Sequence, residues 1–243
     1  MATHTSGTPV YSRILYKISG EALMGDQGFG IDPAMVSRVV DDIIAGRSLG
    51  SSIALVVGGG NIFRGVSLAA KGADRVTGDH MGMLAIVMNA LSLRMAFEAK
   101  DVPATILSGL AVPQVCETFT QRGMLAARDA GHVLIFAGGI GSPYFTSDTA
   151  AALRAAEFGA NAIFKGTQVD GIYSADPKKD ANAERYDTLT HDEVLDKGLA
   201  IMDASAVALA KDNGIDLVVF SIHEPGELAR VLSGEGTFTR VSA

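Results

Sequence analysis

Two lysines in this chain stand where a short apolar run stops. Lys17 follows Ile14, Leu15 and Tyr16 and precedes Ile18, Ser19, Gly20 and Glu21; Lys165 follows Ile163 and Phe164 and precedes Gly166 and Thr167. A strand that ends in a cation and a glycine offers positive charge together with unhindered backbone N–H groups, which suits a phosphate. One such lysine is more often merely solvated, but here the pattern recurs. The apolar run 53–57 passes into Gly58, Gly59 and Gly60, with Asn61 next and Arg64 one turn further on. Consecutive glycines let a phosphate approach the backbone closely, and a guanidinium adds a fork of donors. The run ending in Phe136 and Ala137 passes into Gly138, Gly139, Ile140, Gly141, Ser142, Pro143, Tyr144, Phe145, Thr146, Ser147 and Asp148. Capping a following helix would account for Ser147 or Asp148, but not for three glycines beside two aromatics and further hydroxyls. Those residues suit a groove that reads a base or sugar together with a phosphate. After Lys165, the pairs Asp170-Gly171 and Asp176-Pro177 read as turns when taken alone.

Other chemistries lack their residues. No G-x-x-x-x-G-K-[ST] run is present, and a G-x-G-x-x-G reading through Gly139 and Gly141 fails at Tyr144. There is no G-x-S-x-G elbow, and the five histidines show no metal-ligand spacing. The residues alone reach an α/β protein that handles phosphate, suited to phosphoryl transfer. They leave the substrate open.

Regular elements must carry these strand ends. Apolar β-type runs occur at 13–18, 52–57, 104–107, 132–137, 162–165 and 216–220, and helical patterns at 33–47, 75–100, 119–129, 148–158, 205–213 and 226–232. Such alternation predicts an α/β fold, a three-layer α/β/α sandwich with a mostly parallel central sheet. Asp32 before Pro33, and Gly214 past a helix end, are the expected punctuation. The stretch 173–190 reads as a hairpin or long loop, and a boundary between two lobes falls near 159–161. A net charge of −7 disfavours broad nucleic-acid binding, so an anionic substrate must meet local cations. Cys116 is the sole cysteine, which excludes an intrachain disulfide, fits a reducing compartment and reads as a buried thiol. No basic-then-apolar leader and no apolar run of roughly 18 residues is seen, so a cytoplasmic protein without membrane association is expected.

With these residues in view, the chain resembles the bacterial-type uridylate kinases, a branch of the amino-acid kinase family. The resemblance spans about 13–240 and rests on 17–21, 28–32, 57–65, 74–84, 145–148, 165–173 and 175–177. The block Asp79, His80, Met81, Gly82, Met83, Leu84 is its most branch-specific part. It implies in-line phosphoryl transfer from MgATP to UMP, giving ADP and UDP, in one amino-acid-kinase-like domain. An N-terminal lobe of about 1–159 would bind UMP and oligomerise, and a C-terminal lobe of about 160–243 would bind ATP. Lys17, Lys165 and Arg64 would act on the transferring group, with Asp148 orienting the lysines. ATP would be held by Lys17, Ile18, Ser19, Gly20, Gly60, Arg64, Thr167, Tyr173 and Asp176. UMP would be held by Gly59, Asp79, Ile140, Gly141, Ser142, Pro143, Tyr144, Phe145, Thr146 and Ser147. Asp79 has a plainer reading as the N-cap of a helix starting near His80.

The resemblance also implies Mg²⁺ carried with ATP, no dedicated metal site, a homohexamer built from dimers, inhibition by UTP and activation by GTP. Gly25, Asp26, Gln27, Gly28, Phe29, Gly30 and Arg94 fall at the effector-linked positions. Thr105 and His132 replace basic residues there, which argues against strong GTP activation. The long helix with Met81, Met83, Leu84, Val87, Met88 and Leu91 fits a subunit interface or plain core packing. Another acceptor for the same fold, or nucleotide binding without turnover, are the competing readings.

Overall fold

The computed structural model describes residues 9–63, 74–180 and 182–243. Nine strands form one sheet in the order β4-β3-β5-β2-β1-β6-β10-β11-β9. Its centre is β1 (Arg13–Ile18), flanked by β2 (Ser52–Val57) and β6 (Ala162–Thr167), both parallel to it. Beyond β2 lie β5 (Val133–Ala137), β3 (Ala104–Ser108) and the two-residue β4 (Glu117–Thr118). On the other side, β10 (Asp216–Ser221) joins β6, and β11 (Phe238–Ser242) and β9 (Thr188–Thr190) complete the edge. Within this sheet, among the described residues, only the β10–β11 pair is antiparallel.

Strand residues alternate between two cores, as a period of two requires. Ile14, Tyr16, Ile18, Ile53, Leu55 and Phe164 face the helices α1 (Pro33–Ser48), α2 (Arg75–Glu98) and α7 (Glu227–Leu232). Leu15, Ala54, Val56, Ile163 and Val219 face α3 (Gln121–Asp129), α4 (Ser147–Phe158), α5 (His191–Asp196) and α6 (Ala204–Asp212). The predicted three-layer sandwich is therefore present, and the predicted strands and helices appear within a few residues of their expected bounds. The stretch 173–190 is a hairpin, with β7 (Ile172–Tyr173) antiparallel to β8 (Arg185–Tyr186), running on into β9. The sequence reading lacks β4, β9, β11 and α5. These are short, and β11 (Phe, Thr, Arg, Val, Ser) owes its place to pairing with β10 rather than to a long apolar run. The helix α2 is long and apolar enough in composition to span a bilayer, yet its inner face, including Met83, Ile86, Val87, Ala90 and Leu93, lies in the core.

The carboxyl ends of β1 and β2 approach each other unusually closely. A Cβ on Gly20 would sit 2.4 Å from Asn61 Oδ1 and 2.6 Å from the Gly58 carbonyl, and one on Gly59 would sit 2.8 Å from the Gly82 carbonyl of α2. A buried amide pair holds this junction. Asn61 Nδ2 donates to Asn89 Oδ1 at 3.0 Å, and Asn89 Nδ2 donates to Asn61 Oδ1 and to the Gly58 carbonyl, each at 2.7 Å. Asn61 Nδ2 also donates to the Gly30 carbonyl at 2.8 Å, and the Gly30 N–H returns to the Asn61 carbonyl. Every polar atom of both buried side chains has a partner, so the pair locks three chain segments into one arrangement. Gly20→Ala is expected to destabilise the fold by about 1–3 kcal/mol, read as a lowered Tm, because its methyl meets backbone and a locked amide. An unchanged Tm would contradict the packing described.

Candidate active site

Strand alternation fixes where the two lysines point. Leu15 and Ile163 face the α4 side of the sheet, so Lys17 and Lys165, two residues on, face it too. In the β1–β6 register Lys17 lies directly opposite Lys165. Both ammonium groups reach the first turn of α4, where Asp148 sits. Lys17 Nζ lies 2.6 Å from Asp148 Oδ1, an ion pair that falls short of hydrogen-bond alignment. Lys165 Nζ donates to Asp148 Oδ2 at 2.9 Å and also to the Ile201 carbonyl.

These three charges share a largely dry place, with side-chain exposures of 9% for Lys17, 14% for Lys165 and 16% for Asp148. Burial pushes the Asp148 carboxyl up, but the charges of Lys17 and Lys165 outweigh it and hold it below the ordinary carboxylate range. Burial lowers Lys165, the neighbouring Lys17 charge adds to that, and Asp148 opposes it. The two lysines share one carboxylate in direct contact, and the charge of Asp203, bonded to Thr146 and Thr149, acts on Lys165 from further off. An arriving phosphoryl group would bring further negative charge to the lysines.

The cap of α4 is Thr146, not Ser147 or Asp148. Its hydroxyl oxygen accepts the N–H groups of Asp148 at 3.0 Å and Thr149 at 3.2 Å, which fixes Asp148 in the first turn. The Thr146 hydroxyl donates to Asp203, which also accepts from the Thr149 hydroxyl at 2.9 Å and caps α6 through the Ala206 N–H at 2.9 Å. Sequence reasoning missed Asp203, because an aspartate before a helix looks only like a cap.

Two cavities open beside this cluster. One of about 280 Å³ is lined by Gly59, Gly60, Asp79, Ile140, Ser142, Phe145, Thr146 and Ser147 among others. Of the residues expected around UMP, Gly59, Asp79, Ile140, Ser142, Phe145, Thr146 and Ser147 thus line one cavity. Gly141, Pro143 and Tyr144 belong to the same loop but do not line this cavity; the Tyr144 ring lies against Arg75. Asp79 caps nothing: α2 starts at Arg75 with Asp74 as its N-cap, so Asp79 is inside the helix. Burial pushes its carboxyl up, and hydrogen bonds from Arg75 and the Tyr144 N–H overcome this and hold it low.

The other cavity, about 590 Å³, is lined by Lys165, Thr167, Tyr173 and Asp176, with Gly171, Pro177 and the segment 197–201. Lys197 and Leu199–Ile201 carried no signal in the sequence. Ile18 is fully buried, so only its backbone can face a ligand. Ser19 caps a short 3-10 turn through the Glu21 N–H at 3.3 Å, and Gly20 packs on Asn61. Arg64 lies outside the described residues. Gly25–Gln27 form a second 3-10 turn, with Gly28, Phe29 and Gly30 following it. Arg94 lines a separate cavity of about 570 Å³ with Thr105, buried Cys116 and Thr118, and among the described residues none of 25–30 lines it.

Residues 12–221 match the amino acid kinase family. The chain is 61% identical over 237 residues to a uridylate kinase of Brucella anthropi, covering 98% of this chain and 99% of that protein. The chain belongs to the bacterial-type uridylate kinases of the amino-acid kinase family. A uridylate kinase of Rhizobium meliloti is 60% identical with equal coverage. The crystal structure of a UMP kinase from Ureaplasma parvum superposes with a TM-score of 0.91 at 36% identity, covering 96% of this chain and 99% of that one. A UMP kinase from Bacillus anthracis also gives 0.91, at 32% identity and 96% of each chain. The amino-acid kinase sandwich is thus the fold of both.

A uridylate kinase with this cluster has a definite pH signature. The Asp148 carboxyl is held below its unfolded value, so its stabilising contribution is complete above the ordinary carboxylate range and is lost as pH falls through the lower folded-state value. Asp148→Asn removes it. Melting temperatures of the two proteins should differ most near neutral pH and converge below about pH 4. A gap unchanged down to about pH 3 would contradict the assignment.

Proposed function

We propose that the Lys17–Asp148–Lys165 cluster is the phosphoryl-transfer centre of the reaction this chain catalyses, the reversible transfer of phosphate from ATP to UMP in pyrimidine biosynthesis. The observation that carries the proposal is one buried carboxylate shared by two lysines, with Lys165 lining the larger cavity and Asp148 following directly on Thr146 and Ser147, which line the smaller one. The acceptor cavity takes UMP, with Gly59 offering backbone to its phosphate and Asp79 a carboxylate to its ribose; Gly60, expected beside ATP, lines this same cavity. The larger cavity takes ATP through Lys165, Thr167, Tyr173 and Asp176. The division of labour between residues up to about 159 and those beyond follows from these two placements.

As the bond to the ATP γ-phosphorus loosens, negative charge spreads over the transferring oxygens. Lys17 and Lys165 are aimed at that charge before it develops, so little reorganisation is needed. Asp148 draws both ammonium groups to one point and limits their mutual repulsion, while Lys165 keeps a further bond to the Ile201 carbonyl. Both its oxygens are engaged by lysines, so it serves as an orienting group, and Mg²⁺ travels with the phosphates of its substrate ATP. No general base is required, because a phosphate monoester with a second pKa near 6 is mostly ionised at pH 7.

A homohexameric, cytoplasmic enzyme inhibited by UTP and responsive to GTP is part of the same proposal. Support for association comes from the outer stripe of α2, where Met81, Leu84, Met88 and Met95 are 44%, 47%, 53% and 67% exposed. Thr105 and His132 are bonded to each other at 2.8 Å where the family pattern has basic residues, which supports a weak GTP effect. A coupled assay of ADP release with MgATP and UMP, CMP, dUMP or N-acetylglutamate tests the central reading. UMP-selective turnover that falls at least about tenfold in Asp148→Asn is expected. Turnover with a different acceptor, or an undiminished variant, would overturn it.

A further inference from the structure

The carboxylate of the acceptor cavity is already engaged, and by groups that serve no purpose in the packing of the core. Arg75 opens α2, and Asp79 follows it by one turn on the same face. Arg75 Nε donates to both oxygens of Asp79 at 2.8 Å, and Asp79 Oδ2 also accepts the Tyr144 N–H at 2.7 Å. The guanidinium carbon lies 5.3 Å from the centroid of the Tyr144 ring, so Arg75 grips Asp79 through one edge and the ring through its face. Tyr144 has φ of 71°, a left-handed conformation that a bulky aromatic rarely adopts. Such backbone persists only where surrounding contacts hold it, and here those contacts are Asp79 and Arg75.

The bonding also limits what Asp79 can do. A carboxylate has about four lone-pair directions, and these contacts use two at Oδ2 and one at Oδ1. A single direction at Oδ1 is left for an incoming donor. The side chain of Asp79 is only 13% exposed while that of Arg75 is 39% exposed, so the arginine covers the carboxylate from the solvent side.

We infer that Arg75 is a positioning residue for acceptor recognition: by gripping Asp79 and stacking on Tyr144 it aims the carboxylate at a nucleotide sugar hydroxyl and fastens the 138–145 loop to α2. The inference rests on the reading that the smaller cavity takes UMP. Steady-state kinetics on Arg75→Ala, Arg75→Lys, Asp79→Ala and the Arg75→Ala/Asp79→Ala pair tests it, and the exposure of Arg75 makes loss of folding in its variants a small concern. Arg75→Ala should raise the KM for UMP about tenfold and leave kcat and the KM for ATP within about twofold. Arg75→Lys, which keeps charge but not the planar stack, should recover part of the loss. The double variant should be no worse than Asp79→Ala, because Arg75 acts through Asp79. An unmoved KM for UMP in Arg75→Ala, or losses that multiply in the double variant, would overturn the inference; the latter would mean that Arg75 meets the acceptor itself. If Asp79→Ala alone leaves the KM for UMP unmoved, the acceptor-site reading fails and takes this inference with it.

Discussion

Two ammonium groups held side by side in a low-dielectric place repel each other and lose hydration, and a lone carboxylate between them must compensate for both. That constraint organises this protein. Lys17 and Lys165 are brought opposite each other by the β1–β6 register, and Asp148 is brought to them by the capped first turn of α4. Within direct contact the two lysines share only one carboxylate, with Asp203 acting on Lys165 from further off. A centre built this way is strained in its charge when empty and relieved by an anionic group, which is the sense in which it favours a transition state over the free enzyme.

Precision at that centre depends on backbone as much as on charge. The glycines at the ends of β1 and β2 allow approaches that any side chain would block, and the Asn61–Asn89 pair keeps the resulting junction in one geometry. The same pair ties the segment around Gly30 to the glycine run and to α2. One helix therefore joins three tasks: its inner face builds the core, its N-terminal turns line the smaller cavity, and its outer stripe stays exposed in the single chain. A change at any of these faces bears on the others through a rigid element.

Most of the sandwich was legible because its strands are short apolar runs with glycine at their ends and its helices have ordinary caps. Lys17 and Lys165 stood out as strand-end cations against apolar neighbours, whereas Asp148, in the first turn of α4 well past the end of β5, was joined to them only through the family resemblance. What escaped was whatever depends on distant partners. Asp203 caps α6, and it also receives two hydroxyls from α4. Asn89 sits in mid-helix with no local signal, and its meaning appears only when Asn61 packs against it. Thr146, expected to meet a ligand, lines the smaller cavity, and its hydroxyl also caps α4 and binds Asp203, because an orphaned pair of helix N–H groups lies nearest to it. The two-residue strand β4 has no apolar pattern to announce it, and β9 and β11 exist through pairing at the sheet edge.

The central claim is that the transferring phosphoryl group lies between Lys17 and Lys165. A crystal structure of the enzyme with ADP, UMP and aluminium fluoride, a planar mimic of that group, tests it most directly. The account predicts the fluoride within about 3 Å of both lysine Nζ atoms, between the two nucleotides. A fluoride bound away from either lysine, with the Lys17–Asp148–Lys165 cluster unchanged, would contradict it.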